Sequence, residues 1–215
     1  PFSQGKSPEG KNNMVKALYL NVKGTKQQMR KLDMIYMICI LFFLSGCISA
    51  PSFNYYTLDN SFKPKINENP LCLQVSSIRL AEPLKRKEIM VRKNSVQVEY
   101  YSAHLWASSL EELLTNKLNQ SFLCQQSDKA TPDYYLHIDV LNFEEVETPP
   151  LPYTDVKFVV QFLDPTSMEV LGYKIYTVEK EYNGKGVIEL VKTFSSSVDE
   201  IIEKIYNDAI NIKRN

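Results

Sequence analysis

The sequence predicts an α+β domain in which two amphipathic helices pack on one face of a largely antiparallel or mixed sheet of about five to seven strands. Apolar and polar residues alternate in several segments, which is typical of strands with one buried face. In two other segments the apolar residues recur every three or four positions, as on a helix. Each element therefore has one apolar face, and helices lying on one side of a sheet would bury these faces together.

The strands are predicted from β-branched or alternating runs that end at turn residues. Ile89–Arg92 and Val96–Tyr100 flank Lys93-Asn94-Ser95, and this pattern favours a hairpin because asparagine and serine tolerate tight-turn backbone. The prolines of Thr148–Pro152 cannot donate to a sheet and should end the strand before them. The predicted strands are Phe53–Leu58, Leu71–Leu80, Ile89–Arg92, Val96–Tyr100, Tyr134–Val140, Val156–Phe162 and Val170–Tyr182.

The helices are predicted from two apolar stripes. The first stripe opens at Trp106 and includes Lys117, whose methylene stem should cover the stripe edge while its charge stays in water. Its members are Trp106, Leu110, Leu113, Leu114, Lys117 and Leu118. The second stripe predicts one long helix, with Ser197 as an alternative start because Ser197-Val198-Asp199-Glu200 fits a capping box. Its members are Val187, Val191, Phe194, Val198, Ile201, Ile205 and Ala209.

The N-terminal part has the order of a secretory signal: basic Arg30-Lys31, the apolar run Ile35–Leu44, and small residues before Cys47. An uncleaved signal anchor is the alternative, but this run is far shorter than the roughly 20 residues of a transmembrane helix. Leu44-Ser45-Gly46-Cys47 resembles the lipobox of bacterial lipoproteins. The resemblance implies that Cys47 receives a diacylglyceryl group and becomes the first residue of the mature chain.

These features divide the chain into four parts. Residues 1–28 are expected to be upstream sequence before a start at Met29, and residues 29–46 are the predicted signal peptide. Residues 47–70, rich in Pro, Asn and Ser, should form a lipidated tether with one short strand. Residues 71–215 should form a single α+β domain.

The charge of the chain is unevenly distributed. Seven of its 25 basic and two of its 25 acidic residues precede Cys47, which leaves 18 basic and 23 acidic residues and a net charge of −5. A mildly acidic chain without a basic block does not favour binding to nucleic acid or to anionic lipid surfaces. Membrane attachment would then depend on the acyl chains.

Two cysteines remain in the predicted mature chain besides the lipidated one. Cys72 and Cys124 could form a disulfide in an oxidising compartment, worth about 4 kcal/mol in the chain-entropy model. Two separate buried thiols are the alternative, since spacing alone does not bring the residues together. Trp106, the single tryptophan, is expected in the core because it belongs to a leucine stripe, with an interface anchor as the alternative.

The sequence predicts no catalytic residue, no metal site and no cofactor. His104 and His137, the two histidines, lack further ligands at metal-binding spacing. The mature chain has no Gly-x-Ser-x-Gly or Ser-x-x-Lys motif and no glycine-rich phosphate loop. Glu144, Glu145 and Glu147 form an acidic cluster beside prolines, and the expectation is a solvated loop. The chain is therefore not expected to be an enzyme.

Two stretches carry a family resemblance, Pro83–Arg92 and Tyr101–Leu110. Together with the lipobox and Tyr55-Tyr56-Thr57-Leu58, they resemble the ABC-type transport auxiliary lipoprotein family. That family has an early Tyr-Tyr-x-Leu strand, an Ile-Val-x-Arg strand, a Trp-Ala-x-x-Leu opening of the first helix and a closing amphipathic helix. The resemblance covers nearly all of the chain from Cys47 onward.

The resemblance implies a non-enzymatic lipoprotein of a Gram-negative envelope that faces the periplasm. Its implied partners are ABC transporter subunits and an MCE-domain protein, in systems that move lipids between the inner and outer membranes. In many Gram-negative lipoproteins, an aspartate directly after the lipidated cysteine is a signal for retention in the inner membrane. Ile48 occupies that position here, so the resemblance implies an outer-membrane anchor. The alternative is a structural or assembly lipoprotein of another envelope machine, such as a pilotin or a lipopolysaccharide-assembly factor, with an anchored hydrolase a distant third.

The interaction surface is expected to consist of tyrosines and free strand edges, and self-association into a homo-oligomer is one expected outcome. Tyr55-Tyr56, Tyr100-Tyr101 and Tyr134-Tyr135 are adjacent pairs, so that in a strand one member faces the core and the other faces out. Exposed tyrosine is enriched in interfaces. The short strand Phe53–Leu58 could extend the sheet of a partner.

Overall fold

Seven strands form one mixed sheet in the computed structural model, which describes residues 52–61, 71–122 and 131–214. The strands are β1 (Asn54–Tyr56), β2 (Leu73–Leu80), β3 (Glu88–Arg92), β4 (Val98–Trp106), β5 (Tyr134–Val146), β6 (Tyr153–Leu163) and β7 (Val170–Glu181). The helices are α1 (Leu110–Ser121) and α2 (Val187–Arg214), and a short 3-10 helix spans Glu82–Lys85. The predicted α+β class is confirmed.

The sheet has the order β1-β4-β3-β5-β6-β7. Pairing is antiparallel for β3–β4, β5–β6 and β6–β7, and parallel for β1–β4, β3–β5 and β2–β5. The long strand β5 joins the two halves because β2 pairs with its first part and β3 with its end. The predicted hairpin of β3 and β4 is present, and β4 continues beyond it to Trp106.

The core lies between the sheet and the two helices. Val156, Phe158, Val160 and Phe162 of β6 alternate as predicted and are fully buried. The helix α2 packs mainly on β6 and β7, and α1 packs on β2. Buried residues of both helices and of this sheet face form one cluster, in which the Phe194 ring of α2 stacks on Phe143 with centroids 4.5 Å apart. The predicted packing of two helices on one face is confirmed.

A β-bulge at Leu141 reverses which residues of β5 face the core. Before it, Val140 pairs with Phe158, and after it Phe143 pairs with Val156, so an extra residue lies on the β5 side. A bulge shifts the alternation of side chains by one position. Glu145 therefore lies on the helix-covered face and Glu144 on the opposite face.

The start of the first helix was predicted wrongly at Trp106. The residue ends β4, where its N–H donates to the Lys87 carbonyl at 2.7 Å. The helix begins at Leu110, since the Ser109 side chain caps it by accepting from the Glu112 N–H. Sheet hydrogen bonds on β4 thus hold Trp106 in extended backbone although it shares the spacing of the helical stripe.

The long C-terminal helix was predicted correctly, and its alternative start at Ser197 is wrong. Gly186, at φ 89°, precedes the helix, and its carbonyl accepts the first helical hydrogen bond from Leu190. Ser197 lies inside the helix, buried, and its hydroxyl donates to the Thr193 carbonyl. A serine whose hydroxyl donates to a backbone carbonyl of the preceding turn can occupy the interior of a helix.

The side chain of Lys117 is fully buried, and the expectation of a solvated charge was wrong. Its ammonium nitrogen lies 2.6 Å from Asp199 Oδ1 of α2 and also donates to the Asp59 carbonyl. Asp59 in turn is fixed by its N–H, which donates to Ser195 Oγ at 3.0 Å. The segment after β1 closes over Lys117, and this excludes the water that would otherwise solvate its charge.

Within the described part of the chain, no helix combines the length and the apolar character needed to cross a bilayer.

Candidate interaction surfaces

The two histidines lie in different hydrogen-bonded settings. Nδ1 of His104 is 2.8 Å from the Tyr56 hydroxyl, and the ring of His104 meets that of Tyr101 edge-on. His137 lies between Ser77 and Asp139 on the helix-free face of the sheet. Among the described residues, no three His, Cys, Asp or Glu side chains are grouped to hold a metal ion.

The predicted lipidation site Cys47 lies outside the described residues, as does Cys124. Cys72 is buried just before β2 and takes part in a disulfide bond. Its backbone N–H donates to the Asp133 carboxylate at 2.9 Å, which fixes the entry to the strand. Pairing of Cys72 with Cys124 stays a prediction.

Trp106 lies in the core at 2% exposure. Its ring meets Phe143 and Phe194 at an angle, with centroids 5.8 and 5.9 Å away. Tilted aromatic contacts of this kind add to the stabilisation from area burial. In this conformation the indole supports the packing of α2 on the sheet and offers no contact surface to a partner.

The acidic cluster is not a solvated loop, and that expectation was wrong for two of its three members. Glu144 and Glu145 belong to β5 and are each 2% exposed. Glu144 accepts two hydrogen bonds from the Arg92 guanidinium, at 2.7 and 3.0 Å, on the helix-free face. This contact raises the pKa of Arg92. A bidentate arginine stabilises a buried carboxylate in a way that charge patterning alone does not reveal.

Glu145 has a different set of partners on the helix-covered face. One carboxylate oxygen accepts from the Tyr101 hydroxyl at 2.7 Å, and the other accepts from the Tyr182 hydroxyl. Burial, and then the hydrogen bond to Glu145, raises the pKa of both tyrosines. Both phenols therefore stay protonated donors at any physiological pH.

A cavity of about 400 Å³ lies against Glu145, and we call it the Glu145 cavity. Its walls include the two tyrosines, and Glu147, Gly186 and Val187 also line it. The carboxylate of Glu147 is engaged by Lys93, whose Nζ is 2.7 Å away. The positive φ of Gly186 brings the first turn of α2 to the cavity wall.

The amino-acid sequence contains a signal for this arrangement that the strand prediction did not use. Apolar residues occupy even positions from Tyr134 to Val140 and an odd position at Phe143. Such a change of parity inside one strand marks a bulge. The shifted alternation after the bulge assigns Glu145, like Phe143, to the core face.

The outer edge of β7 is a second candidate surface. Among the described strands β7 pairs with β6 alone, so one row of its backbone groups has no strand partner. Exposed apolar side chains accompany this edge: Val170, Leu171, Tyr173 and Ile175. The short strand predicted at Phe53–Leu58 forms β1 over three residues and is paired with β4 on one side. The long edge of β7 is thus the larger template for strand addition.

Of the three tyrosine pairs, only the first has one member in contact with the core and the other exposed. Tyr55 is exposed while Tyr56 packs against the core, and Tyr134 is buried while Tyr135 is half-buried. Tyr100 and Tyr101 are both half-buried, so this pair does not divide between the core and the surface.

The fold and these surfaces define a mixed sheet that is covered on one face by two helices. A family model for the ABC-type transport auxiliary lipoprotein component matches residues 56–206. The chain belongs to this family.

Two solved structures share the fold. Protein XCC0632 from Xanthomonas campestris is 19% identical, with a TM-score of 0.64, and the match covers 75% of this chain and 98% of that one. An uncharacterised protein is 17% identical, with a TM-score of 0.55, over 73% of this chain and 98% of its own. No curated protein matches the chain.

Proposed function

We propose that this chain is a non-enzymatic, outer-membrane-anchored lipoprotein that docks an ABC transporter and its MCE-domain partner for lipid transport between the two membranes. The family match over residues 56–206 carries this proposal, since it spans nearly the whole described fold. A docking role needs an anchor and a protein-binding surface but no catalytic group. The lipobox-like Leu44–Cys47 and the edge of β7 supply candidates for both.

The anchor is tested by Cys47→Ala. Loss of the thiol removes the acceptor of the diacylglyceryl group, so the variant should accumulate as an uncleaved precursor without lipid. Mass spectrometry of the purified chain and membrane fractionation would measure this, with Cys39→Ala in the predicted signal peptide as the matched control. Normal processing of Cys47→Ala would contradict the lipoprotein assignment, and a mature protein found wholly with inner-membrane markers would contradict the outer-membrane anchor.

The docking surface is proposed along β7. Strand addition to a free edge supplies main-chain hydrogen bonds, and exposed side chains beside the edge add specificity. Tyr173 and Ile175 are 71% and 61% exposed on the helix-free face of β7. Burial of these two side chains in an interface would contribute favourable binding free energy. This edge is therefore the preferred contact for the MCE-domain protein.

The test compares two substitutions of equally exposed isoleucines. Ile175→Lys introduces a charge beside the edge, while Ile188→Lys introduces the same charge on α2, where Ile188 is 64% exposed. Ile175→Lys should reduce cross-linked capture of the MCE-domain protein at least about tenfold, the effect of roughly 1.4 kcal/mol. Ile188→Lys should leave capture unchanged. Equal capture by both variants would exclude the β7 edge, and capture of another envelope complex alone would favour the alternative assembly role.

A further inference from the structure

The Glu145 cavity contains a buried carboxylate that pairs with no described cation. Glu144 is paired with Arg92, and Glu147 with Lys93, but the partners of Glu145 are the hydroxyls of Tyr101 and Tyr182. Fully buried glutamates are almost always paired, because an uncompensated charge costs several kcal/mol away from water. The two neutral donors therefore leave this carboxylate without an ion-pair partner at the wall of an open cavity.

The carboxylate retains capacity to accept further hydrogen bonds. An ionised carboxylate offers about four lone-pair sites, and the two tyrosines occupy one on each oxygen. The hydroxyl hydrogens are committed to Glu145, so the cavity presents acceptors and aromatic surface rather than donors at this wall. A ligand that donates hydrogen bonds and carries positive charge matches this arrangement.

The other charges around the cavity do not satisfy Glu145. The ammonium of Lys93 is held between Glu147, at 2.7 Å, and Glu99, at 3.8 Å. The N-terminus of α2 adds a partial positive charge, but Glu189 lies in its first turn and offsets it. None of the described hydrogen bonds joins a backbone N–H of α2 to Glu145. Glu145 and Glu147 are the acidic side chains that line the cavity, and of these two Glu147 is the one with an ion-pair partner.

We propose that the Glu145 cavity binds the primary ammonium group of a small organic amine. An ammonium group has three donors for the free lone pairs of Glu145, and its carbon chain would lie along the tyrosine rings and Val187. A quaternary ammonium has no donor and needs an aromatic cage on several sides, whereas two tyrosines line this cavity. The amine is either a free solute or the head group of an aminolipid, and the binding chemistry is the same for both.

The experiment is an NMR titration of the full chain in detergent micelles with ethanolamine. The backbone amides of Gly184 and Gly186, which line the cavity, report on occupancy. Ethanolamine should shift them saturably, with a dissociation constant of about 1–10 mM for so few atoms. Ethylene glycol, which replaces the ammonium by a hydroxyl, and choline, whose quaternary ammonium carries no N–H donor, should not. The absence of a saturable shift, or equal shifts with ethylene glycol, would overturn the proposal.

Two variants separate binding at Glu145 from general attraction to an acidic chain. Glu145→Gln keeps the shape but removes the charge and should weaken binding at least about tenfold, whereas Glu179→Gln, on the exposed part of β7, should leave it unchanged. Equal loss in both variants would overturn the site. If Glu145→Gln fails to fold, Val187→Phe fills the cavity without touching the carboxylate and should abolish the shifts. Retained binding in that variant would equally overturn the proposal.

The source of the amine is identified by a second titration. Micelles containing lyso-phosphatidylethanolamine are compared with micelles containing lyso-phosphatidylcholine. An aminolipid head group would be supported if the two glycine amides shift with lyso-phosphatidylethanolamine but not with lyso-phosphatidylcholine. These shifts should then appear at a lower concentration than free ethanolamine requires. Shifts with ethanolamine alone would support a soluble amine. The proposal does not depend on docking by β7, so failure of either leaves the other standing.

Discussion

Replacing Trp106 by alanine is expected to lower the free energy of unfolding by about 3–5 kcal/mol, the range for a fully buried large aromatic side chain. The indole is buried at 2% exposure between the sheet and α2, where Phe143 and Phe194 contact it. Its loss leaves a cavity at the centre of the aromatic cluster, and packed cores relax only partly around such cavities. Denaturant unfolding followed by far-UV circular dichroism measures the change.

The control for this prediction is Tyr173→Ala, which removes an exposed aromatic side chain from β7. It should change the unfolding free energy by no more than about 0.5 kcal/mol. Trp106→Phe should lower the unfolding free energy by an amount between those of Trp106→Ala and Tyr173→Ala, because the phenyl ring keeps part of the contact area. A loss below about 1 kcal/mol for Trp106→Ala would mean that the indole is not in the core, and reduced partner binding with unchanged stability would then favour the interface role.

Replacing Lys117 by methionine is expected to cost about 3–5 kcal/mol at neutral pH, the range for breaking one side of a buried ion pair. Methionine retains the unbranched stem but leaves Asp199 and the Asp59 carbonyl without the ammonium that now contacts both. The double variant Lys117→Met, Asp199→Leu should recover most of this loss, because it removes both charges and replaces them with apolar groups.

The cost of Lys117→Met should also depend on pH. Burial raises the pKa of Asp199, and Lys117 opposes that shift. Without the lysine the folded-state pKa of Asp199 rises further above its unfolded value of 3.8. A carboxyl group whose pKa is higher in the folded state lowers the free energy of unfolding as the pH rises from its unfolded to its folded pKa. The stability lost in Lys117→Met should therefore be smallest near pH 4 and grow toward pH 7. A deficit independent of pH would show that lost packing, and not the unpaired charge, determines the effect.

Local patterns determined most of the elements. Alternation along β6 predicted four core residues that are fully buried, and the apolar stripe from Val187 to Ala209 predicted a long helix on the sheet. Such patterns work because period 2 and period 3.6 follow directly from strand and helix geometry. They failed at Trp106, because its N–H donates to Lys87, just before β3, and its pairing with β1 extends β4 through a residue with helical spacing.

The partners of charged residues were decided by the tertiary structure alone. Lys117 lies on the edge of an apolar stripe in the sequence, yet contacts from Asp59 and Asp199, far apart in the chain, enclose it. Glu144 and Glu145 look like a solvated pair, yet Arg92 and two tyrosines from distant parts of the chain stabilise them inside the fold. The sequence alone determined which residues have apolar faces and where a lipid anchor is expected. Only the folded chain determined which charges are enclosed, because water is excluded by segments that no local pattern brings together.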